Sequence, residues 1–378
     1  MRVVVAPDKF KGSLDAARVA DALAAGVRDV LADADCALIP MADGGDGTVE
    51  AFVAGGATRR TARVSGALGA PVDAGYAREG RTAIVEMAAA SGLALLDGKL
   101  DPRRATTRGT GELLRDALDG GATRIVLGIG GSATTDGGAG ALAALGARFL
   151  AEDGEVLDPA PLALARVARV DLDGLDGRLQ GVDLAVACDV DNPLIGPNGA
   201  AAVYGPQKGA SPEDVRFLDG VLARLADAMT AATGRDQRAR PGAGAAGGLG
   251  WALASACGAR LQRGVALVAE VRGLARALRG ADWCFTGEGR IDEQTLRGKV
   301  VDGVAVLARA AGAPVIAFGG SIDPAVEARL RARGVRCVPV VAGPVTLDEA
   351  MRNTAANLRA AAARATALLT THRNEHGG

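Results

Sequence analysis

The sequence predicts an α/β protein in which a parallel-sheet domain, assembled from both ends of the chain, encloses a second α/β domain. Three observations carry this. Short apolar runs recur along the chain, the longer stretches between them have helical periodicity, and one region breaks the pattern and reads as antiparallel. The runs are residues 3–6, 37–41, 125–129, 184–188, 283–285, 315–318 and 337–341. Each is continuous rather than alternating, which suits a parallel strand buried on both faces.

In chain order, the first helix follows the 3–6 run and sets Ala16, Ala20, Leu23, Val27 and Leu31 along one stripe. Residues 61–87 are interrupted by Gly66, Gly69, Gly75 and Gly80. That is the pattern of antiparallel strands or a bulged hairpin, and it opens the inserted domain. A helix starts at Ser211-Pro212-Glu213, with an N-cap, an N1 proline and an acidic first turn, and carries Leu218, Val221, Leu222, Leu225 and Met229. The uncharged stretch 241–259 is long enough for a membrane span, but its large apolar residues are only Leu249, Trp251 and Leu253. A glycine-rich loop entering a small-residue helix is expected there. The last helix begins with a capping box, Thr346 to Glu349, and stripes through Met351, Leu358 and Leu368. With the Gly280-Ala281-Asp282 turn as the far boundary, a discontinuous five-strand domain of residues 1–60 and 281–378 surrounds an insertion of residues 61–280.

Composition narrows the function. The 378 residues are 49% apolar with a formal net charge of −1. Such a chain is globular and offers no electrostatic case for nucleic acid or an anionic membrane. Its ten aromatic residues are too few for base-stacking platforms. Met1-Arg2-Val3-Val4-Val5 lacks the apolar core of a signal peptide. Cys36, Cys188, Cys257, Cys284 and Cys337 form no C-x-x-C pair and read as small hydrophobes in a reducing compartment. A cytoplasmic location is expected. The two histidines, His372 and His376, lie in a tail that reads as frayed. This argues against Ser-His-Asp or Cys-His chemistry and against a His-ligated metal. Acid–base work then falls to carboxylates, lysine, cysteine or tyrosine.

In open α/β sheets, ligands bind beyond the carboxyl ends of the strands. Glycine, with 54 residues about twice its usual share, gathers there. The runs are followed by Pro7-Asp8-Lys9-Phe10-Lys11-Gly12-Ser13, by Ala42-Asp43-Gly44-Gly45-Asp46-Gly47-Thr48, and by Gly130-Gly131-Ser132-Ala133-Thr134-Thr135-Asp136-Gly137-Gly138. Asp189-Val190-Asp191-Asn192 and Thr286-Gly287-Glu288-Gly289-Arg290-Ile291-Asp292 complete the set. The 130–138 loop suits phosphate, because successive amides can face one anion, a helix N-terminus follows, and hydroxyls add donors. An ordinary glycine-rich turn is the plainer alternative. Gly128-x-Gly130-x-x-Ala133 also fits a dinucleotide fingerprint, with Glu152 or Asp153 about 20 residues on, but the polar run 132–136 delays the helix that such a site needs. The ATPase pattern G-x-x-x-x-G-K-[ST] is absent.

Of 43 basic residues only five are lysines. Lys9, Lys11, Lys208 and Lys299 lie in glycine-bearing, loop-like segments, where a compact charge suits phosphate or carboxylate. Chance survival on a surface loop is the alternative for each, and Lys99 reads as a turn residue. Asp8, Asp43, Asp46, Asp189, Glu288 and Asp292 can bind Mg2+ with phosphate oxygens or accept a hydroxyl proton. Turn or N-cap roles compete, most of all at Asp46 and Asp191. Glycine loops, hard carboxylates, lysines and no useful histidine match phosphoryl transfer, where positioning and charge stabilisation dominate.

At these residues the sequence resembles the bacterial type I glycerate kinase family, the glycerate 2-kinases. The matching segments include 6–13, 41–48, 86–93, 106–111 and 130–138, then 188–194, 204–210, 286–295 and Gly319-Gly320, in the expected order. Lys9 stands where that family leads one to expect Ser, Asp46 where Glu is usual, and Thr135 where Asn is common. The resemblance implies a two-domain kinase, one domain flavodoxin-like and discontinuous, the inserted one with a mixed sheet, and the site in the cleft. It implies ATP- and Mg2+-dependent phosphorylation of D-glycerate, most often at the 2-hydroxyl. Small-molecule partners are expected, with no nucleic acid or membrane, and a homodimer is left open. On this basis Gly130, Gly131, Ser132, Thr134, Lys208 and Glu288 meet the nucleotide. Asp8, Lys9, Ser13, Asp43, Asn192 and Arg290 meet glycerate. Lys11, Asp189 and Asp292 take catalytic roles, Asp189 as base, while Asp43, Asp189 and Asp292 are the candidates for Mg2+. A non-catalytic metabolite sensor and an NAD-dependent oxidoreductase are the alternatives.

Overall fold

The computed structural model describes residues 1–45 and 47–375, and it divides into two compact units. The first comprises Met1–Asp43, Glu50–Gly55 and Val265–Gly378, the second Gly44–Val49 and Gly56–Gly264.

The first unit carries a five-stranded parallel sheet in the order Val335–Pro339, Val315–Ile322, Trp283–Ile291, Arg2–Val5, Asp35–Leu38. Numbered along the unit and read from the opposite edge, this is 2-1-3-4-5, the flavodoxin-like order. Val3, Val4 and Val5 are all buried, as a strand covered on both faces must be. The helix Ala16–Val30 is capped by the Asp15 side chain, which accepts from the Arg18 amide. Its Val19, Leu23 and Val27 share a core with Val5, Phe285 and Phe318.

The capping box at Thr346 forms, but the helix it starts, Leu347–Arg352, ends at Asn353, and Thr354–Glu375 takes over. Leu368 is exposed, and the buried stripe is Leu358, Ala361, Ala362 and Ala365. Alanine is favoured because the Ala16–Val30 helix approaches so closely: a Cβ on Gly26 would lie 2.1 Å from the Arg359 carbonyl. The backbone of His372 lies within the last helix, and His376 lies outside the described residues. Residues 265–280, expected in the insertion, belong to the first unit. The Arg272 guanidinium sits 4.2 Å over the Phe52 ring and donates to the Ala51 carbonyl. Val265 fills the space above Gly303.

The second unit carries a six-stranded mixed sheet in the order Arg260–Gln262, Asp183–Ala187, Arg124–Gly128, Thr82–Glu86, Pro71–Glu79, Thr58–Ser65. Pro71–Glu79 is antiparallel to both its neighbours, and the remaining pairings are parallel. The helix Pro212–Thr233 has the expected start, with a full capping box between Ser211 and Asp214. Gly242 onward forms a glycine-rich arch leading into the short helix Leu249–Cys257. Among the described residues no helix is long and apolar enough to cross a membrane. All five cysteines are free, and Cys284 alone is fully buried. A small hairpin, Arg148–Leu150 with Arg169–Asp171, had no signal in the periodicity.

Candidate active site

In the first unit the strand order reverses between Arg2–Val5 and Trp283–Ile291, the point at which open α/β sheets form a ligand crevice. The Asp8 amide donates to the Gly287 carbonyl at 2.8 Å, which sets Asp8 beside Glu288. Glu288, only 5% exposed, accepts from the Thr295 hydroxyl. Thr295 Oγ1 in turn accepts the Asp292 N–H at 3.0 Å. Burial, with repulsion from Asp43, pushes the Asp8 carboxyl up to about 7. Burial, with repulsion from Asp8 and Asp292, pushes Glu288 to about 7 as well, and Lys299 pulls against both shifts. Asp8, Asp43, Glu288, Asp292 and Lys299 therefore feel one another electrostatically.

Lys299 received no role from the sequence beyond its place in a glycine-bearing segment. It is the N-cap residue of the helix Val300–Ala310 and makes no side-chain cap. A cation at the positive end of a helix is unfavourable, so local helix preference does not account for it, whereas the neighbouring carboxylates do. Lys9 lies beside Asp8, whose Oδ1 accepts the Lys9 amide at 2.7 Å. Lys11 is exposed. Arg290 is 77% exposed and pairs with Asp292 at 3.3 Å. The Ser13 hydroxyl is occupied within the fold, 2.8 Å from the Met351 carbonyl and 2.6 Å from Thr354 Oγ1. Asp46 lies outside the described residues.

Of residues 286–292, taken from sequence as a loop after the strand, 286–291 instead extend it: Glu288 pairs with Gly319 and Arg290 with Ser321. Glycine permits the close approach, since a Cβ on Gly287 would lie 2.5 Å from the Phe318 carbonyl. Gly287→Ala should therefore push the two strands apart beside Glu288 and destabilise the fold by about 1–3 kcal/mol. A denaturation midpoint equal to that of the parent protein would show that the strands have slack.

In the second unit, the 130–138 loop follows Arg124–Gly128 and Asp189 follows Asp183–Ala187. These strands are parallel neighbours, with Gly128 opposite Ala187, so loop and carboxylate occupy the same sheet edge. Asp189 is exposed, and its Oδ1 accepts the Gly264 amide at 3.0 Å. Gly44 and Gly45 cross the same edge. A Cβ on Gly128 would meet the Gly44 carbonyl at 2.2 Å, and one on Gly44 would meet the Ala187 methyl at 2.4 Å.

The loop itself is braced from within. Asp136 is fully buried and accepts from the Thr107 amide and hydroxyl, each at 2.7 Å, and from the amides of Gly138 and Gly140. Burial raises its carboxyl above the usual range. Among the described residues the amides of Gly130, Gly131 and Ser132 have no protein acceptor, while Ala133 N–H donates to the Ser91 carbonyl. Lys208 is 1% exposed, and its Nζ donates to the Thr134 carbonyl at 2.6 Å. Burial draws its amine down to about 7, against the pull of Asp136. The Thr134 hydroxyl is buried without a partner. Asn192 is engaged inside the unit, donating to the Asn198 carbonyl and accepting from the Tyr204 hydroxyl.

The donor set suits Mg2+ held jointly with phosphate. The first unit offers hard carboxylate oxygens, and burial together with their mutual repulsion raises two of their proton affinities. Among the described residues no three His, Cys, Asp or Glu side chains could hold an ion alone, and Mg2+ commonly uses one or two carboxylates with waters and phosphates. The dinucleotide geometry does not form. The helix Ala139–Ala144 begins only after Gly138, and Glu152 and Asp153 follow a strand of the separate hairpin.

A sequence model described as the Glycerate kinase family matches residues 3–370. The glycerate kinase of Bacillus subtilis (strain 168) is 46% identical over 359 residues, 94% of each chain. The glycerate 2-kinase of Escherichia coli (strain K12) is 45% identical over 364 residues, 95% of each. A crystal structure described as a glycerate kinase 2 from Salmonella typhimurium LT2 superposes with a TM-score of 0.90 at 44% identity, covering 99% of both chains.

Proposed function

Because the chain belongs to the glycerate kinase family, we propose that it transfers the terminal phosphoryl group of ATP to the 2-hydroxyl of D-glycerate. The observation that carries this beyond family membership is the neighbouring of the 130–138 loop and Asp189 on one sheet edge. Amides without acceptors at Gly130, Gly131 and Ser132 would receive phosphate oxygens, which fixed dipoles stabilise at no reorganisation cost. Thr134 shapes the same loop. Asp189, one strand over, would take the proton from the attacking hydroxyl.

Other residues would supply the charges for the acid substrate and the metal. Lys9, Lys11 and Arg290 would receive the glycerate carboxylate, with Asp8 accepting from a hydroxyl. Asp43 and Asp292 would hold Mg2+, which when bound supplies charge neutralisation to the phosphate oxygens. Glu288 and Lys299 would set the local field on those carboxylates, as their mutual electrostatic influence supports.

The test is a coupled assay with purified protein, ATP, Mg2+ and D-glycerate, the product read by 31P NMR. ADP release dependent on glycerate, with phosphorus on the 2-oxygen, is expected. No glycerate-dependent ADP release rejects the activity, and a 3-phosphate product rejects the position.

A further inference from the structure

The 130–138 loop turns sharply at its glycines. Gly131, Gly137 and Gly138 all have positive φ, at +70°, +63° and +75°. The hydroxyls of Thr134 and Thr135 are both fully buried with no partner among the described residues. Buried, unpaired hydroxyls oppose the fold, so something must hold the segment in place. Asp136 does so at the helix end of the loop. At the other end the Thr134 carbonyl points inward, where Lys208 Nζ meets it at 2.6 Å. The arch behind it leaves no freedom to turn. A Cβ on Gly247 would lie 2.1 Å from that carbonyl, and Gly247 accepts the Gly137 amide at 2.9 Å. Ala246, beside it, is a non-glycine residue at φ +50°, a strained conformation that persists only where its surroundings impose it.

An ammonium free to meet a ligand is reached by solvent. That of Lys208 is not: the residue is buried, with Asp136 near enough to act on its charge, and Nζ donates to a backbone carbonyl. We propose that Lys208 is a positioning residue that acts from beneath the phosphate loop, drawing the Thr134 carbonyl inward so that the amides at Gly130, Gly131 and Ser132 stay turned outward, and that it makes no contact with the nucleotide. This rests on the reading of 130–138 as a phosphate loop and is the alternative to the direct nucleotide contact expected of Lys208.

Hydrogen–deuterium exchange of the full chain separates the two roles. In Lys208→Met without nucleotide, exchange at the hydrogen-bonded loop amides of Ala133, Gly137 and Gly138 should rise about 10–100-fold, the worth of a lost hydrogen bond from a charged donor. The KM for ATP should rise by a similar factor, with the KM for glycerate within about threefold of the parent value. A ligand-contacting lysine would leave exchange in the free protein unchanged and weaken ATP binding only. Unchanged exchange in the free variant overturns the proposal whatever the ATP affinity. If Lys208→Met does not fold, Lys208→Gln keeps an amide donor without the charge. For that variant retained ATP affinity supports the proposal, as does raised exchange, and lost affinity with unchanged exchange in the free protein overturns it. In the parent protein, MgATP should protect 130–138. If it does not, the phosphate-loop reading falls and the proposal with it, whereas protection together with an unresponsive Lys208→Met sinks the proposal alone.

Discussion

Asp189→Asn should lower kcat by about 10²–10⁴ while leaving ATP binding near its parent value. The substitution is structurally gentle. Asn keeps a carbonyl oxygen to accept the Gly264 amide, now 3.0 Å from Asp189 Oδ1, so the sheet edge should hold its shape. What disappears is the ability to take a proton. Calorimetric titration with ATP and a steady-state assay with glycerate check both halves of the expectation. Near-normal turnover would remove Asp189 from the role of base. Loss of ATP binding would mean that the carboxylate shapes the phosphate loop rather than serving the hydroxyl.

Glu288→Gln should stabilise the protein at alkaline pH and impair it as a catalyst. The carboxyl is raised from an ordinary 4.5 to about 7, by burial first and then by Asp8 and Asp292. A raised carboxyl makes its contribution in the protonated form. The stabilisation is complete below pH 4.5 and is lost as pH climbs through about 7. At pH 8 the parent carries the full cost of a buried carboxylate, about 3–4 kcal/mol from the size of the shift. Gln removes that cost and can still accept from Thr295. Unfolding measured in a chelator should therefore give near-equal stabilities at pH 4.5 and a growing advantage for the variant up to pH 8. Parallel pH profiles would reject the assignment. Added Mg2+ should stabilise the parent more than the variant, because a ligand that binds only the folded form adds to its stability.

The strands were legible where composition alone decides. Val3, Val4 and Val5 and the 184–188 run are continuous and apolar, and they fold as strands within a residue of where the pattern puts them. Trp283–Ile291 was cut short because Gly287 and Gly289 read locally as a loop, yet pairing with Val315–Ile322 carries the strand on. The site was legible as a set of strand ends, with Asp8, Asp189 and the 130–138 loop at sheet edges as expected. The depth of each side chain was not. Lys208 and Lys11 look alike in sequence, and only the packing of 205–209 beneath the loop makes one buried and the other exposed. Asp136 drew no attention, since its role depends on Thr107, which comes 29 residues earlier. Lys299 needed the carboxylates around it to acquire meaning.

The interleaved sheet of the first unit also governs the order in which the chain can fold as it is made. Arg2–Val5 and Asp35–Leu38 emerge first, but the partner of Arg2–Val5 on its other side, Trp283–Ile291, comes only after the whole second unit. At 5–20 residues per second, the two early strands wait on the order of 12–50 s. A pair of strands alone is marginally stable in water, so a ribosome-bound chain displays apolar Val3, Val4 and Val5 throughout that interval. The newborn chain thus has a built-in window in which a chaperone holding its first forty residues would raise the yield, and in which crowded synthesis would favour aggregation from the N-terminal end.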